Sequence, residues 1–86
     1  MFRPAPHVVF EVVQEEAVLL DGKRGQYFGL NDVGLAVWER LQSGASERDL
    51  IATVMQRFDV DPETCAADLD ELLASLIAAG LITKEE

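Results

Sequence analysis

Histidine and cysteine occur once each in this 86-residue chain, as His7 and Cys65, and basic residues number 7 against 16 acidic ones. A single cysteine excludes an intramolecular disulfide framework and fits a reducing compartment, so the cytoplasm is the expected location. A lone imidazole leaves no second one to complete a metal site or an acid–base pair. The longest uncharged run near the C-terminus, Leu72 to Thr83, falls far short of the ~20 residues a membrane helix needs, and nothing at the N-terminus reads as a signal peptide. The net charge of −9 works against polyanionic partners, whose phosphates are held by Lys and Arg, and favours basic ones. Between Arg57 and Lys84 there is no basic residue, while Asp59, Asp61, Glu63, Asp68, Asp70 and Glu71 all lie there. One face of the C-terminal third is therefore strongly negative, either as a solvated face that keeps a small protein in solution or as an attractor for a Lys-rich ligand.

What the chain does contain is the material of a small core. With 49% hydrophobic and 27% charged residues it is an ordered globular sequence, and its length suffices for one domain, residues 1–86. Three short β segments come first. Residues 8–13 are β-branched and aromatic, Gln14-Glu15-Glu16 turns the chain, residues 17–21 form a second apolar run, and Asp21-Gly22-Lys23-Arg24-Gly25 turns it again into 26–30, giving an antiparallel meander. Pro4 and Pro6 imply an irregular lead-in, with His7 in it.

Three helices follow, each with a start signal. Asn31 caps the first, which carries Gly34, Val37, Trp38 and Leu41 at helical spacing and stops at Ser43-Gly44. Ser46 and Asp49 form a capping box for the second, whose stripe is Leu50, Ile51, Val54, Met55 and Phe58. Asp61-Pro62 opens the third, expected to run roughly 18 residues with Leu69, Leu72, Leu73, Leu76 and Ile77 on its apolar side and Gly80 at its end. Leu81 and Ile82 then return to the core. The expected fold class is α+β, winged helix-turn-helix-like, a three-stranded antiparallel sheet followed by three helices.

That order raises nucleic-acid binding, but the third helix offers carboxylates and small apolar residues where a recognition helix needs Arg, Lys, Asn or Gln. Catalysis has less support still. No carboxylate has an evident acid–base partner, Gly22 to Gly25 is a turn and not a phosphate loop, and Cys65 among acidic residues reads as a small buried thiol. No cofactor is expected.

The informative stretch is Gln26 to Leu41, where an aromatic strand runs into a capped helix without a linker. An exposed sheet edge beside an apolar groove is how a protein takes up an extended peptide as one more strand. Along that strand Tyr27 and Gly29 share one face while Gln26, Phe28 and Leu30 share the other, so one aromatic belongs to the core and the other to the groove, and the sequence leaves open which. On the third helix Cys65, Asp68, Leu69 and Leu72 lie at i, i+3, i+4 and i+7, one stripe fit to wall the groove, although Leu69 and Leu72 read equally well as core. The expected peptide-binding set is Gln26, Tyr27, Phe28, Gly29, Leu30, Val33, Cys65, Asp68, Leu69 and Leu72.

Tyr27-Phe28-Gly29-Leu30-Asn31-Asp32-Val33-Gly34, then Val37-Trp38 and Leu41, the helix start at Ser46 and the Leu-rich third helix ending in Gly80-Leu81-Ile82 resemble the PqqD-like family, the recognition elements of ribosomally made, modified peptides. The resemblance spans about Val8 to Ile82. It implies a non-catalytic module that binds the leader segment of a precursor peptide on the 26–30 strand, against the third helix. Within the family the chain is similar to the stand-alone recognition proteins of lasso-peptide biosynthesis, which implies as partners a leader peptidase, a transglutaminase-like cysteine protease, and a cyclase. Other members serve pyrroloquinoline quinone synthesis and hand a peptide to a radical SAM enzyme. Only four residues follow Ile82, so no fused enzyme is expected.

Overall fold

The computed structural model describes residues 1–85. Its elements run β1 (Phe2–Pro4), β2 (Val8–Val13), β3 (Glu16–Asp21), β4 (Gln26–Leu30), α1 (Asp32–Leu41), α2 (Glu47–Arg57), α3 (Pro62–Ala78) and β5 (Ile82–Lys84). The expected meander is present as an antiparallel sheet in the order β2-β3-β4, followed by the three helices. The turn between β2 and β3 is tighter than the sequence suggests. Val13 pairs with Glu16, leaving only Gln14 and Glu15 in the turn, both at positive φ (51° and 70°), as the mirror-image hairpin turn requires.

The N-terminal segment departs from expectation. Instead of an irregular lead-in, β1 pairs antiparallel with β5, Phe2 opposite Lys84 and Pro4 opposite Ile82, and Phe2 exchanges backbone hydrogen bonds with Ala45 in the α1–α2 connection. Proline is tolerated because β1 is a short strand at the rim, where a missing donor leaves no ladder gap. Burial of Phe2 and Ile82 drives the closure, and no local sequence pattern reports a pairing 80 residues apart.

The helix ends follow their signals. The Gly34 N–H donates to Asn31 Oδ1 at 2.8 Å, Ser46 and Asp49 make the reciprocal capping box, and the Thr64 N–H donates to Asp61 beside Pro62. α3 has 17 residues and ends in a Schellman closure: Leu81 N–H reaches Leu76 O, Gly80 N–H reaches Ile77 O, and Gly80 takes φ +73°. The core gathers Leu19 from the sheet, Val37, Trp38 and Leu41 from α1, Leu50 and Val54 from α2, and Leu69, Leu73 and Leu76 from α3, with Leu81 and Ile82 closing it. Met55 and Ile77, expected in the apolar stripes, are exposed instead, because each lies at the edge of its stripe, past the arc that faces a neighbouring element.

His7 is not in a loose segment either. Its carbonyl accepts from Gly22 N–H, and its Nε2 lies 3.6 Å from the buried carboxyl of Asp21. Burial pushes that carboxyl up, but the hydrogen bonds donated by the Lys23 and Arg24 N–H groups and the charges of His7 and Arg24 outweigh it and hold Asp21 below its ordinary value. The ionised form therefore stabilises the β3–β4 turn at every pH above the unfolded aspartate value of about 3.9, and the contribution fades as pH falls through the lower folded value. Asp21→Asn should melt several degrees below the wild type at pH 7, with the two melting temperatures converging as pH drops below about 4; circular dichroism melts across that range measure both.

Candidate functional site

β4 stands at the edge of the sheet, and among the described residues no backbone hydrogen bond outside the sheet reaches residues 26–30. Its side chains alternate as expected. Phe28 lies opposite Leu19 and packs on the core, while Tyr27, opposite Leu20, is 61% exposed on the outer face of the sheet. The aromatic question is thus settled for the core, but Tyr27 stands beside Val13 and Val18 and does not line the cleft described below. Gly29 has extended backbone, and a Cβ placed there would meet nothing within 4 Å, so nothing in the fold itself requires glycine at this edge position.

One residue separates β4 from α1. That residue, Asn31, caps the helix, and Gly34 one turn on packs closely under Leu30, where a Cβ would lie 3.2 Å from the Leu30 side chain and push it by a few tenths of an ångström. The close fit sets the start of α1 directly against the end of the open strand. Here a cleft of about 230 Å³ opens, lined by Asn31 and Val33 on one side and by Cys65, Asp68, Leu69 and Leu72 of α3 on the other. The i, i+3, i+4, i+7 stripe is therefore brought together with Val33 as the sequence suggests. Leu69 and Cys65 are buried at its base, and Leu72 is half-buried on its wall.

The lining is completed by Val54 of α2 and Val60 in the α2–α3 connection, neither of them in the expected peptide-binding set, and by Glu71, which the sequence places only in the acidic run. Val54 belongs to the core stripe as well, and a valine in a short connection carries no signal of its own. The acidic run divides in space. Asp68 and Glu71 flank the cleft, whereas Asp70 turns to Glu47 at the start of α2, where the hydrogen bond between the two carboxyls, with burial and the Asp70 charge, holds Glu47 above its ordinary value. The cleft is thus apolar at the base with two carboxylates and an amide at the rim, suited to an apolar side chain with a cation or backbone donor beside it. Among the described residues no group of His, Cys, Asp and Glu is placed to hold a metal ion, and no helix is long and apolar enough to cross a membrane.

Fold and site define a small α+β module with one open strand edge next to an apolar cleft. The sequence matches the family described as coenzyme PQQ synthesis protein D over residues 16–82, and the chain belongs to that family. A solved lasso peptide synthetase B1 complexed with the leader peptide is similar over 96% of this chain and 98% of that one, at 29% identity and a TM-score of 0.83. TbiB1 in complex with the TbiA(beta) leader peptide is similar over 98% of both chains, at 28% identity and a TM-score of 0.85. A search of curated proteins returned no match.

Cys65 is the one thiol among the described residues and lies in the cleft, and its surroundings keep it protonated. Burial pushes its pKa up, and the Asp68 carboxylate adds to the shift, so little of the reactive thiolate forms at neutral pH. Iodoacetamide at pH 7.5 should therefore alkylate the folded protein several-fold more slowly than the urea-unfolded chain, and Asp68→Asn should speed the folded-state reaction. Mass spectrometry of timed aliquots measures both rates; equal rates in folded and unfolded chains would place Cys65 outside the buried base.

Proposed function

We propose that this protein is a non-catalytic carrier that binds the leader segment of a ribosomally synthesised precursor peptide and presents it to a leader peptidase and a cyclase in lasso-peptide biosynthesis. The observation that carries the reading is the open β4 edge beginning one residue from the apolar cleft of Val33, Leu69 and Leu72. The whole-chain likeness to two proteins solved with leader peptides supports it. In this reading the peptide adds as a strand along Gln26, Tyr27, Phe28, Gly29 and Leu30, and sends a side chain into the cleft between α1 and α3. Gly29, which packing does not require, leaves room for the approaching backbone.

Magnitudes decide how the work divides. About four backbone hydrogen bonds at a net ~0.5–1.5 kcal/mol each are partly offset by about 2–5 kcal/mol for ordering a flexible segment. The backbone alone thus gives weak binding. One apolar anchor buried in the cleft contributes about 1.5–3 kcal/mol, which makes the cleft the main source of usable affinity. Asp68 and Glu71 at the rim set register and favour a leader with Lys or Arg next to its anchor.

A second reading is favoured by the family match itself, which is described by coenzyme PQQ synthesis: the same edge and cleft would chaperone a precursor for a radical SAM enzyme. The peptide that binds distinguishes the two. Fluorescence anisotropy with a labelled lasso-precursor leader should give micromolar or tighter affinity. Leu72→Lys, at a half-buried position on the cleft wall, should weaken it at least tenfold while the circular dichroism melt stays close to wild type. Leu69 is unsuited to this test because it is 3% exposed and part of the core. Unchanged affinity in folded Leu72→Lys would move the binding site away from α3.

A further inference from the structure

The sheet buries one face and leaves the other bare. Leu19 is fully buried, with Phe10 and Phe28 paired to it at the same level of the three strands, so alternation turns Val9, Val18, Leu20 and Tyr27 outward. Val9 and Tyr27 are exposed, as is Val13 further along the same face, while Val18 and Leu20 of the middle strand are half-buried. Val13, Val18 and Tyr27 border a shared shallow recess on this side. A contiguous apolar face of this kind marks a contact surface.

Shape and charge make the face complementary to itself. Tyr27 stands up from β4, and Gly29, two residues on and on the same face, leaves a gap in which a Cβ would meet nothing within 4 Å. A two-fold axis across the strands, at the level of Phe10, Leu19 and Phe28, exchanges the level of Tyr27 with that of Gly29. It therefore sets each Tyr27 ring over the gap at Gly29 of a second copy, and each Leu20 over Val18, in an interface that pairs the same patch on both chains. Lys23 and Arg24 project from the β3–β4 turn at one end of the strands, and Glu15 and Glu16 stand at the β2–β3 turn at the other. Among the described residues Lys23, Glu15 and Glu16 are in no ion pair. The same axis reverses the strands and brings the basic end of one copy to the acidic end of the other, whereas an axis along the strands would set like charges together. Glu11, on the outer strand β2, falls at the rim over Val9 of the second copy, where its carboxylate reaches water.

We propose that the outer face of the β2-β3-β4 sheet is a self-association surface, on which a second copy of this chain packs face to face with its strands antiparallel. The net charge of −9 opposes the approach of two copies, but charges further apart than about 8 Å are screened at about 0.15 M salt, and the groups brought into contact are apolar at the centre and of opposite sign at the ends. Area sets the strength. Three strands about 4.8 Å apart, rising about 3.3 Å per residue, give a face of about 14 by 20 Å, so two copies cover about 600 Å² in plan, below the roughly 1,200–2,000 Å² of a stable interface. The dimer is therefore transient, forming at about 0.1 mM and above. Face packing uses side chains and leaves the in-plane N–H and C=O groups of both β4 edges open, and the axis keeps those edges on the same flank, about 10 Å apart. Self-association does not depend on the carrier reading; together with it, each copy holds its own leader alongside the other's.

Sedimentation equilibrium of the full chain, from about 10 μM to about 1 mM at about 0.15 M salt, should show the mass rising toward that of a dimer at the top of the range. Val18→Lys, at the centre of the face and outside the peptide-binding set, should raise the dissociation constant at least about tenfold. Lys23→Glu, in an exposed turn where the fold is not at risk, should raise it about threefold, and adding Glu16→Lys to it should recover most of that loss by reversing both ends of the pair. A chain still monomeric at the highest concentration overturns the proposal. So does a dimer that folded Val18→Lys leaves unchanged, which places the contact on another surface, and so does a charge reversal that fails to rescue, which excludes the antiparallel register. Anisotropy with the labelled lasso-precursor leader, at micromolar protein where the chain is monomeric, keeps the two readings apart. Folded Val18→Lys should bind leader within about twofold of wild type; loss of leader binding there would make the face part of the leader site and overturn the proposal. A wild type that dimerises but binds no leader sinks the carrier reading alone, and one that binds leader but never dimerises sinks the self-association alone.

Discussion

The arrangement depends on the one-residue junction between β4 and α1. Asn31 ends the strand and caps the helix in the same position, its Oδ1 accepting from Gly34 N–H, while Leu30 packs closely over Gly34, where even a Cβ would crowd it. A cap of this kind contributes about 1 kcal/mol to stability. Its structural consequence is larger. Without a flexible linker the helix axis cannot swing relative to the sheet, so the distance between the open edge of β4 and the α3 wall of the cleft is set by the fold and not by the ligand. A site preorganised in this way spends less of its binding free energy on ordering the protein.

The same helix separates two surfaces of different character. One side of α1 shares a recess with α3, small, apolar at the base and edged by Asp68 and Glu71. The other side faces β2 across a broader exposed trough. The meander is anchored to the helices chiefly through Leu19, the one apolar side chain of its strands that is fully buried, with Val8, Phe28 and Leu30 packed partly against the core. A sheet held by its middle strand leaves both outer strands open, which is a liability in an isolated protein and an asset in one that works by holding other chains.

Much of this was legible in the sequence where the signal is local. The caps at Asn31, Ser46 and Asp61, the Gly80 closure and the two hairpins are written in neighbouring residues, and all are found where those residues put them, save that the first turn is one residue tighter, Glu16 belonging to β3. The i, i+3, i+4, i+7 stripe on α3 likewise located Cys65, Asp68, Leu69 and Leu72 on one wall, because helix periodicity is a local rule. What was hidden is non-local. The pairing of β1 with β5, the tethering of His7 to Asp21 and the entry of Val54 and Val60 into the cleft depend on segments far apart in the chain. Tyr27 is the instructive case: alternation showed that it and Phe28 face opposite ways, but only the packing of Leu19 against Phe28 decides which side is inside, and the outer side turns out to lie away from the cleft.

The central claim is that a leader peptide adds as a strand to β4, and amide hydrogen exchange resolved by NMR tests it most directly. On addition of saturating leader, amides within residues 26–30 should gain protection in an every-other-residue pattern, since alternate N–H groups of an edge strand point outward, and amides of residues 9–13 on the opposite edge should be unchanged. Protection that appears on α3 alone, or on β2 in place of β4, would contradict strand addition at this edge.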